Sequence, residues 1–434
     1  MTRLLIKNGA FITMDEEQLQ FQGWMAIEGS RIAGLGAGAA PEQEISQASE
    51  IMDGKGMLFM PGLVNTHGHA AMSLLRGMAD DLALQEWLQN HMWPAEAKFT
   101  GDDVYWGSSL AAAEMIKSGT TTFVDMYDHM HRVAEVTEQS GLRASLTRGV
   151  IGLCSEEEQK TKLAEAIQFA RDWHGAAEGR INVMISPHAP YTCPPDYILK
   201  FVEAAHDLDL PMHTHMSETL AEVEQNVRDY GYRPVEHLDR LGMFSRPTLL
   251  AHAVHLKDEE IALLAERKVA VSHNPVSNLK LASGVARVPE LLQAGVTVSL
   301  GTDSAASNNN LDLFQEITMA ALLHKGVSGD PTVIPAAEAL RMGTVYGARS
   351  IGHGGVTGQL KAGLKADFIA ISLNKPHFVP YTDYISHLAY TARGSDVAHV
   401  WVDGRQLLRH GQLLTLDEER ILAEAERCYQ RLRG

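Results

Sequence analysis

His67-Gly68-His69 sets two imidazoles two residues apart, a spacing that in extended chain turns both toward one side and lets them converge on one ion. An HxH pair alone is weak evidence, because structural histidines are common. Two further segments strengthen it: His213-Thr214-His215-Met216-Ser217-Glu218 and Gly301-Thr302-Asp303-Ser304 again bring histidine and carboxylate to points where an apolar run gives way to a loop. His67, His69, His215 and Asp303 together form a nitrogen and oxygen donor set suited to Zn²⁺ or Fe²⁺. An ion held in this way lowers the pKa of water and generates a nucleophile at neutral pH. The chemistry predicted is metal-dependent hydrolysis. A single ion is expected, since the fourth apolar run, residues 181–187, carries no lysine to bridge a second.

A water-activating ion needs a proton carrier beside it. Glu218, three residues past His215, has two readings: a carboxylate whose pKa a dry pocket raises, or an ordinary acid near a helix start. His252, in Leu250-Ala251-His252-Ala253, is either a donor to the attacking water or the developing oxyanion, or a hydrogen-bonded interior histidine. His188, between Pro187 and Pro190 with Ala189, either positions a substrate or caps its loop. His213 shares the strand parity of His215 but lies one layer deeper. It is expected to support the ligands or pack, rather than bind the ion.

Residues so far apart meet only in a fold that gathers strand ends at one place. From about residue 60 to 310, short β-branched or apolar runs alternate with amphipathic helical stretches, the rhythm of βα units. The runs are residues 63–67, 121–126, 143–150, 181–187, 211–215, 248–252, 268–273 and 297–303. Eight strands close a barrel, and in a (β/α)8 barrel their C-terminal ends share one mouth. The four donors then belong to strands 1, 5 and 8. Thr100-Gly101-Asp102-Asp103 reads as a capping box opening a helix that stops near Gly119. Residues 70–99, with Trp87, Trp93 and Pro94, are too long for a simple βα loop and are expected to wall or cover the mouth.

Residues 1–59 and 360–415 show strand-like pieces between glycines and acidic turns, with Asp403-Gly404 as a hairpin dipeptide. The expected architecture is an α/β (β/α)8 TIM-like barrel over residues 60–359, joined to a small β-sandwich domain assembled from both termini. Residues 416–434 read as an amphipathic helix docked on the surface.

With 434 residues and 45% hydrophobic content the chain can bury such a core. Cys154, Cys193 and Cys428 are too far apart to support a disulfide framework or a thiolate zinc site. A net charge of -17, with 37 basic against 54 acidic residues and no Lys/Arg cluster, argues against a nucleic-acid partner. No apolar stretch approaches membrane-spanning length, so no membrane partner is expected. The opening residues lack a signal-peptide pattern, which makes a cytoplasmic location the default expectation.

The segments Pro61-Gly62-Leu63-Val64-Asn65-Thr66-His67-Gly68-His69, 213–218, Ser272-His273-Asn274-Pro275-Val276-Ser277-Asn278, 301–309 and Gly358-Gln359-Leu360 carry a likeness over nearly the whole chain. It resembles the amidohydrolase superfamily, in the branch of 5-methylthioadenosine/S-adenosylhomocysteine deaminases. The resemblance implies hydrolytic deamination of an adenine nucleoside, with His67, His69, His215 and Asp303 holding one Zn²⁺ and Fe²⁺ as the lesser alternative. Glu218, His252 and Asp303 would then be catalytic: Asp303 accepts the proton of the water, Glu218 protonates N1 and His252 steadies the new oxygen. Glu96, Arg148 and His188, with Glu218 and Asp303, would contact the substrate. Glu96 would accept hydrogen bonds from ribose hydroxyls and Arg148 would bind a polar side of the nucleoside.

The resemblance also leaves a homo-oligomer open. Guanine deaminases and triazine chlorohydrolases share the barrel and most of the ligands, so another heterocycle is the alternative substrate. A non-catalytic scaffold is the third reading, and the complete ligand set argues against it. Asn274 and Ser304 depart from the branch's commonest residues, Cys and Gly, and both are expected beside the pocket.

Overall fold

The computed structural model describes residues 3–433; Met1, Thr2 and Gly434, which fall within the expected outer segments, lie outside the described residues. Five strands come first: β1 (Arg3–Ile12), β2 (Gln20–Glu28), β3 (Arg31–Ala37), β4 (Glu50–Asp53) and β5 (Met57–Pro61). Nine short parallel strands follow: β6 (Leu63–Asn65), β7 (Thr120–Tyr127), β8 (Arg143–Val150), β9 (Ile181–Val183), β10 (Ser186–Pro187), β11 (Met212–Met216), β12 (Thr248–His252), β13 (Ala270–His273) and β14 (Val298–Leu300). Four more end the chain's strands: β15 (Phe368–Ser372), β16 (Val397–Val402), β17 (Arg405–Arg409) and β18 (Gln412–Leu413).

The nine parallel strands are the eight staves of a barrel. β6, β7 and β8 pair in sequence, β9 and β10 both pair with β8, and β11 to β14 pair in order. Two seams close the ring. Ile185 bridges Met212, and Thr66 N–H donates to Leu300 O at 2.9 Å. The expected run 181–187 is therefore one stave in two pieces, both on β8, with Met184 N–H bonding Leu146 O at 3.0 Å on that side and Ile185 N–H bonding Pro211 O at 2.9 Å on the other. Beneath the mouth the barrel interior is polar, with Thr66 Oγ1 2.7 Å from Ser272 Oγ and 2.9 Å from Ser299 Oγ.

The remaining strands form one sheet in the order β18-β17-β16-β15-β5-β1-β2-β3, with β4 also on β1. It curls until β3 meets residues 363–366, where Ile32 N–H donates to Leu364 O at 3.0 Å and Gly363 N–H to Ile32 O at 2.8 Å. The β-sandwich from both termini is thus a single sheet closed on itself. Phe11, Phe59, Phe368 and Trp401 fill its own core, while Ile12, Met60 and Ile369 on the other face join the barrel's core. Asp403-Gly404 makes the β16–β17 hairpin, both residues at positive φ (51 and 73), as a type I′ turn requires. Arg143 at the start of β8 pins sheet to barrel, 2.7 Å from both Asp367 and Asp403.

Residues 70–99 are helical: a 3₁₀ turn (Ala70–Leu75), a short α-helix (Leu84–Trp87), a π turn (Leu88–Met92) and a last α turn (Trp93–Glu96). Leu84, Trp87 and Met92 share one hydrophobic cluster with Met72, Leu75 and, from the C-terminal helix Glu418–Arg433, Ala425 and Leu432. That helix therefore braces the insertion as well as lying on the barrel's flank.

Candidate metal centre and active site

His67 and His69 follow β6, His215 lies in β11 and Asp303 follows β14, so all four stand at C-terminal strand ends on one mouth. Asp303 Oδ1 is 3.4 Å from His67 Nε2 and 3.3 Å from His69 Nε2, and His215 Nε2 is 3.3 Å from His69 Nε2. The donor atoms of His67, His69 and Asp303 lie within 4.8 Å of one another, and so do those of His67, His215 and His252.

What the other ring nitrogens touch decides which atoms face the centre. His69 Nδ1 donates to Met126 O at 2.6 Å, and His215 Nδ1 to His188 O at 2.8 Å. His213 Nδ1 donates to Leu249 O at 2.8 Å, which leaves its Nε2 to accept from His67 Nδ1 at 2.9 Å. Each of the three rings therefore turns an Nε2 lone pair inward. His213 sits behind the centre in a supporting place.

The donor set fits a cation. His67 Nε2 is buried and makes no hydrogen bond, an arrangement that a metal bond satisfies. Burial drives His67 and His215 well below the ordinary imidazole value, so both stay neutral. Burial also works against a charged His69, but the hydrogen bond and charge of Asp303 outweigh it and lift it to about 9. A cation entering there displaces that proton. Asp303 Oδ2 accepts from Ser277 Oγ at 2.6 Å and Ser307 Oγ at 2.9 Å, which orients its Oδ1 to the histidines.

Glu218 and His252 flank the centre. Glu218 Oε1 accepts from Ser283 Oγ at 3.0 Å, and Oε2 lies 3.7 Å from His252 Nε2. His252 Nδ1 donates to Asn278 Oδ1 at 2.8 Å, so its Nε2 is the atom presented to the site. Burial raises the Glu218 pKa, the direction a proton donor needs. Backbone strain marks the same places: Ser217, His252 and Asp303 are left-handed at φ 51, 75 and 60.

The centre forms part of the lining of a cavity of about 570 Å³. Trp87, Trp93 and Phe99 of the insertion give it an apolar wall, and Glu96 and Arg148 also line it. Tyr127 Oη donates to Glu96 Oε1 at 2.6 Å, and burial raises the Glu96 pKa. His188 packs on His215 with ring centroids 4.6 Å apart, and burial lowers it to about 3, so it is neutral. Its Nδ1 faces Thr192 Oγ1 at 2.9 Å, and that hydroxyl donates to Ala189 O, so His188 Nε2 is an acceptor. Arg148 is already engaged, 3.1 Å from Asp128 and 3.2 Å from Glu165.

Ser304 lines the cavity as expected, but Asn274 does not. Asn274 follows β13 and is fully buried, its amide donating to Ser272 Oγ at 3.1 Å and to Gly301 O at 3.3 Å, so it ties β13 to β14 rather than forming the pocket wall.

A profile of the Amidohydrolase family matches residues 58–407, most of the chain. The chain belongs to the amidohydrolase family. A 5-methylthioadenosine/S-adenosylhomocysteine deaminase of Desulforudis audaxviator is 51% identical over 431 residues, covering 99% of each chain. A 5′-deoxyadenosine deaminase of Methanosarcina acetivorans is 48% identical over 433 residues, covering 100% of this chain and 99% of its own. Among solved structures, an adenosine deaminase from Xanthomonas campestris with bound zinc superposes with a TM-score of 0.93 at 35% identity, over 100% of this chain and 99% of that one. This amidohydrolase is accordingly a metal-dependent hydrolase that acts on a cyclic amidine.

The polar partners of the site had no signature of their own in the sequence. Ser277, Asn278 and Ser307 fall within the two motif blocks 272–278 and 301–309, which is the signal that could have found them. Tyr127 and Ser283 stand outside every motif.

Proposed function

We propose that this amidohydrolase converts 5′-methylthioadenosine, S-adenosylhomocysteine or both, with adenosine as a further substrate, to the inosine analogue and ammonia. One water is consumed: its oxygen becomes the C6 oxygen and the amino group leaves as ammonia. The observation that carries this reading is the convergence of three Nε2 atoms and Asp303 beside the Glu218–His252 pair in a cavity that also holds Glu96. An ion held by His67, His69, His215 and Asp303, zinc in this reading, supplies a Lewis acid that acidifies water.

The protein's own groups do the rest. Asp303, oriented by two serine hydroxyls, accepts the proton of the water as it adds to C6. Glu218, whose pKa burial raises, gives its proton to N1 so that charge does not build on the ring. His252, oriented by Asn278, presents Nε2 to the new oxygen. Glu96 has one oxygen held by Tyr127 and the other free for ribose hydroxyls. His188 offers an acceptor to the nucleoside, and Arg148 meets its polar side with Asp128 and Glu165 as counter-charges.

Ammonia release measured on methylthioadenosine, S-adenosylhomocysteine, 5′-deoxyadenosine, adenosine and guanine, beside chloride release from a chlorotriazine, tests the substrate. The adenine nucleosides are expected to turn over and the other two not; preferred turnover of guanine or the triazine would overturn the assignment. Glu218→Gln should keep its metal and lose on the order of 10²–10⁴-fold in kcat. His67→Ala should lose most of its metal, measured by elemental analysis, and equal metal in wild type and variant would refute the ligand set.

A further inference from the structure

Helix Leu220–Tyr230 starts in an unusual way. Its N-cap is Thr219, whose hydroxyl accepts from Glu222 N–H at 3.2 Å. A glutamate at this third helical position ordinarily returns its carboxylate to the N-cap N–H, closing a capping box. Thr100 with Asp103 and Ser155 with Glu158 do so elsewhere in this chain. Glu222 does not. Its carboxylate passes Thr219 and takes the two N–H groups before it, Ser217 at 2.9 Å and Glu218 at 3.0 Å, one on each oxygen.

Those two residues form the turn that aims Glu218. Ser217 is left-handed at φ 51, a conformation that an L residue with a side chain keeps only when its surroundings impose it. Glu222 is 2% exposed and is not part of the cavity lining. Burial, and after it the charge of Glu218, lifts its pKa to about 7, so the site retains a carboxylate where a neutral side chain would be easier to bury.

We infer that Glu222 is a positioning residue for the proton carrier: its bidentate hold on the Ser217 and Glu218 N–H groups keeps the strained turn that delivers the Glu218 carboxylate to His252 and the substrate ring. The inference rests on Glu218 being that carrier. Glu222 touches neither substrate nor metal ligand side chains, and acts through the backbone.

Three variants, Glu222→Gln, Glu222→Asp and Glu218→Gln, are compared in ammonia-release kinetics, metal content and inhibition by the deaminated product. In Glu222→Gln one oxygen is replaced by an NH₂ that opposes the second N–H. Its kcat should fall about 10²-fold, the loss that goes with a misplaced catalytic group. KM, product inhibition and metal content should stay within about twofold of wild type, because nothing that binds the nucleoside has changed. Glu222→Asp keeps both acceptor oxygens and should recover part of the lost kcat; should the Gln variant fold poorly, the Asp variant makes the same comparison against wild type.

A wild-type kcat in Glu222→Gln would overturn the inference, and so would parallel losses of kcat and product binding, which signal a collapsed pocket. Normal turnover in Glu218→Gln would instead overturn the proton-carrier reading itself. An inactive Glu218→Gln beside a fully active Glu222→Gln would remove this inference alone.

Discussion

Each imidazole of the proposed metal centre has its tautomer set by its second nitrogen, and one of those settings is a relay. Leu249 O fixes His213, and His213 fixes His67. Replacing His213 with Phe leaves the volume filled but removes the acceptor of the His67 Nδ1 proton. Metal affinity should fall about 10–100-fold, as for other lost partners of ligating histidines, and competition with a chelator measures it. Unchanged affinity would show that the relay is only packing. At this scale the sequence is most informative where residue type and strand-end spacing suffice, as for His67, His69, His215, Asp303, Glu218 and His252. It is silent on Ser283, which reaches Glu218 across 65 residues of chain and has no local mark of that role. It misplaced Asn274 because a strand-end residue can face the pocket or the layer beneath, and one residue of parity decides which.

Among the elements, the strand runs 143–150 and 248–252 appear with the expected bounds, since β-branched and apolar density marks a buried parallel strand. The run 181–187 appears as two short pieces, β9 and β10, that keep one register on β8. β4 and the two-residue β18 carry too little apolar pattern to stand out, and the 3₁₀ and π turns of the insertion lack the 3.6-residue period by which a helix is recognised. Helix Leu313–Ser328 shows how an element far from the mouth serves it. Glu316, fully buried, accepts from Val276 N–H at 3.2 Å and Asn308 Nδ2 at 2.7 Å. It thereby ties the loops after β13 and β14 that carry Ser277 and Ser307.

Burial lifts the Glu316 pKa to about 8, from the 4.5 of a free glutamate side chain. The unfolded chain ionises first, so this group's contribution is fully present below about pH 4.5 and is lost as pH rises to about 8. The wild-type melting temperature should therefore fall relative to that of Glu316→Gln across that interval. A pH-independent difference between the two would refute a protonated Glu316.

On the scale of the whole molecule, the chain's last helix reaches the active-site wall. Arg431 pairs with Asp103, which also closes the capping box of helix Gly101–Lys117, and Lys98 Nζ donates to Leu432 O at 3.2 Å. Lys98 is two residues from Glu96. Removing residues 418–433 should leave the metal bound and raise KM for the nucleoside on the order of tenfold, as the ribose contact proposed for Glu96 loosens. Steady-state kinetics beside metal analysis checks this, and an unchanged KM would count against it. Among the described residues no helix is long and apolar enough to cross a membrane.

The closed terminal sheet has one more consequence, in the order of synthesis. β3 and β5 each leave the ribosome with a bare edge, and both edges find their partners only in residues 363–372. At about 5–20 residues per second, the roughly 300 residues in between take about 15–60 s to make. For that interval two open strand edges travel with the growing barrel, each a template for pairing with another chain. A chaperone's cover over the nascent sheet is expected to matter for as long as those edges stay open.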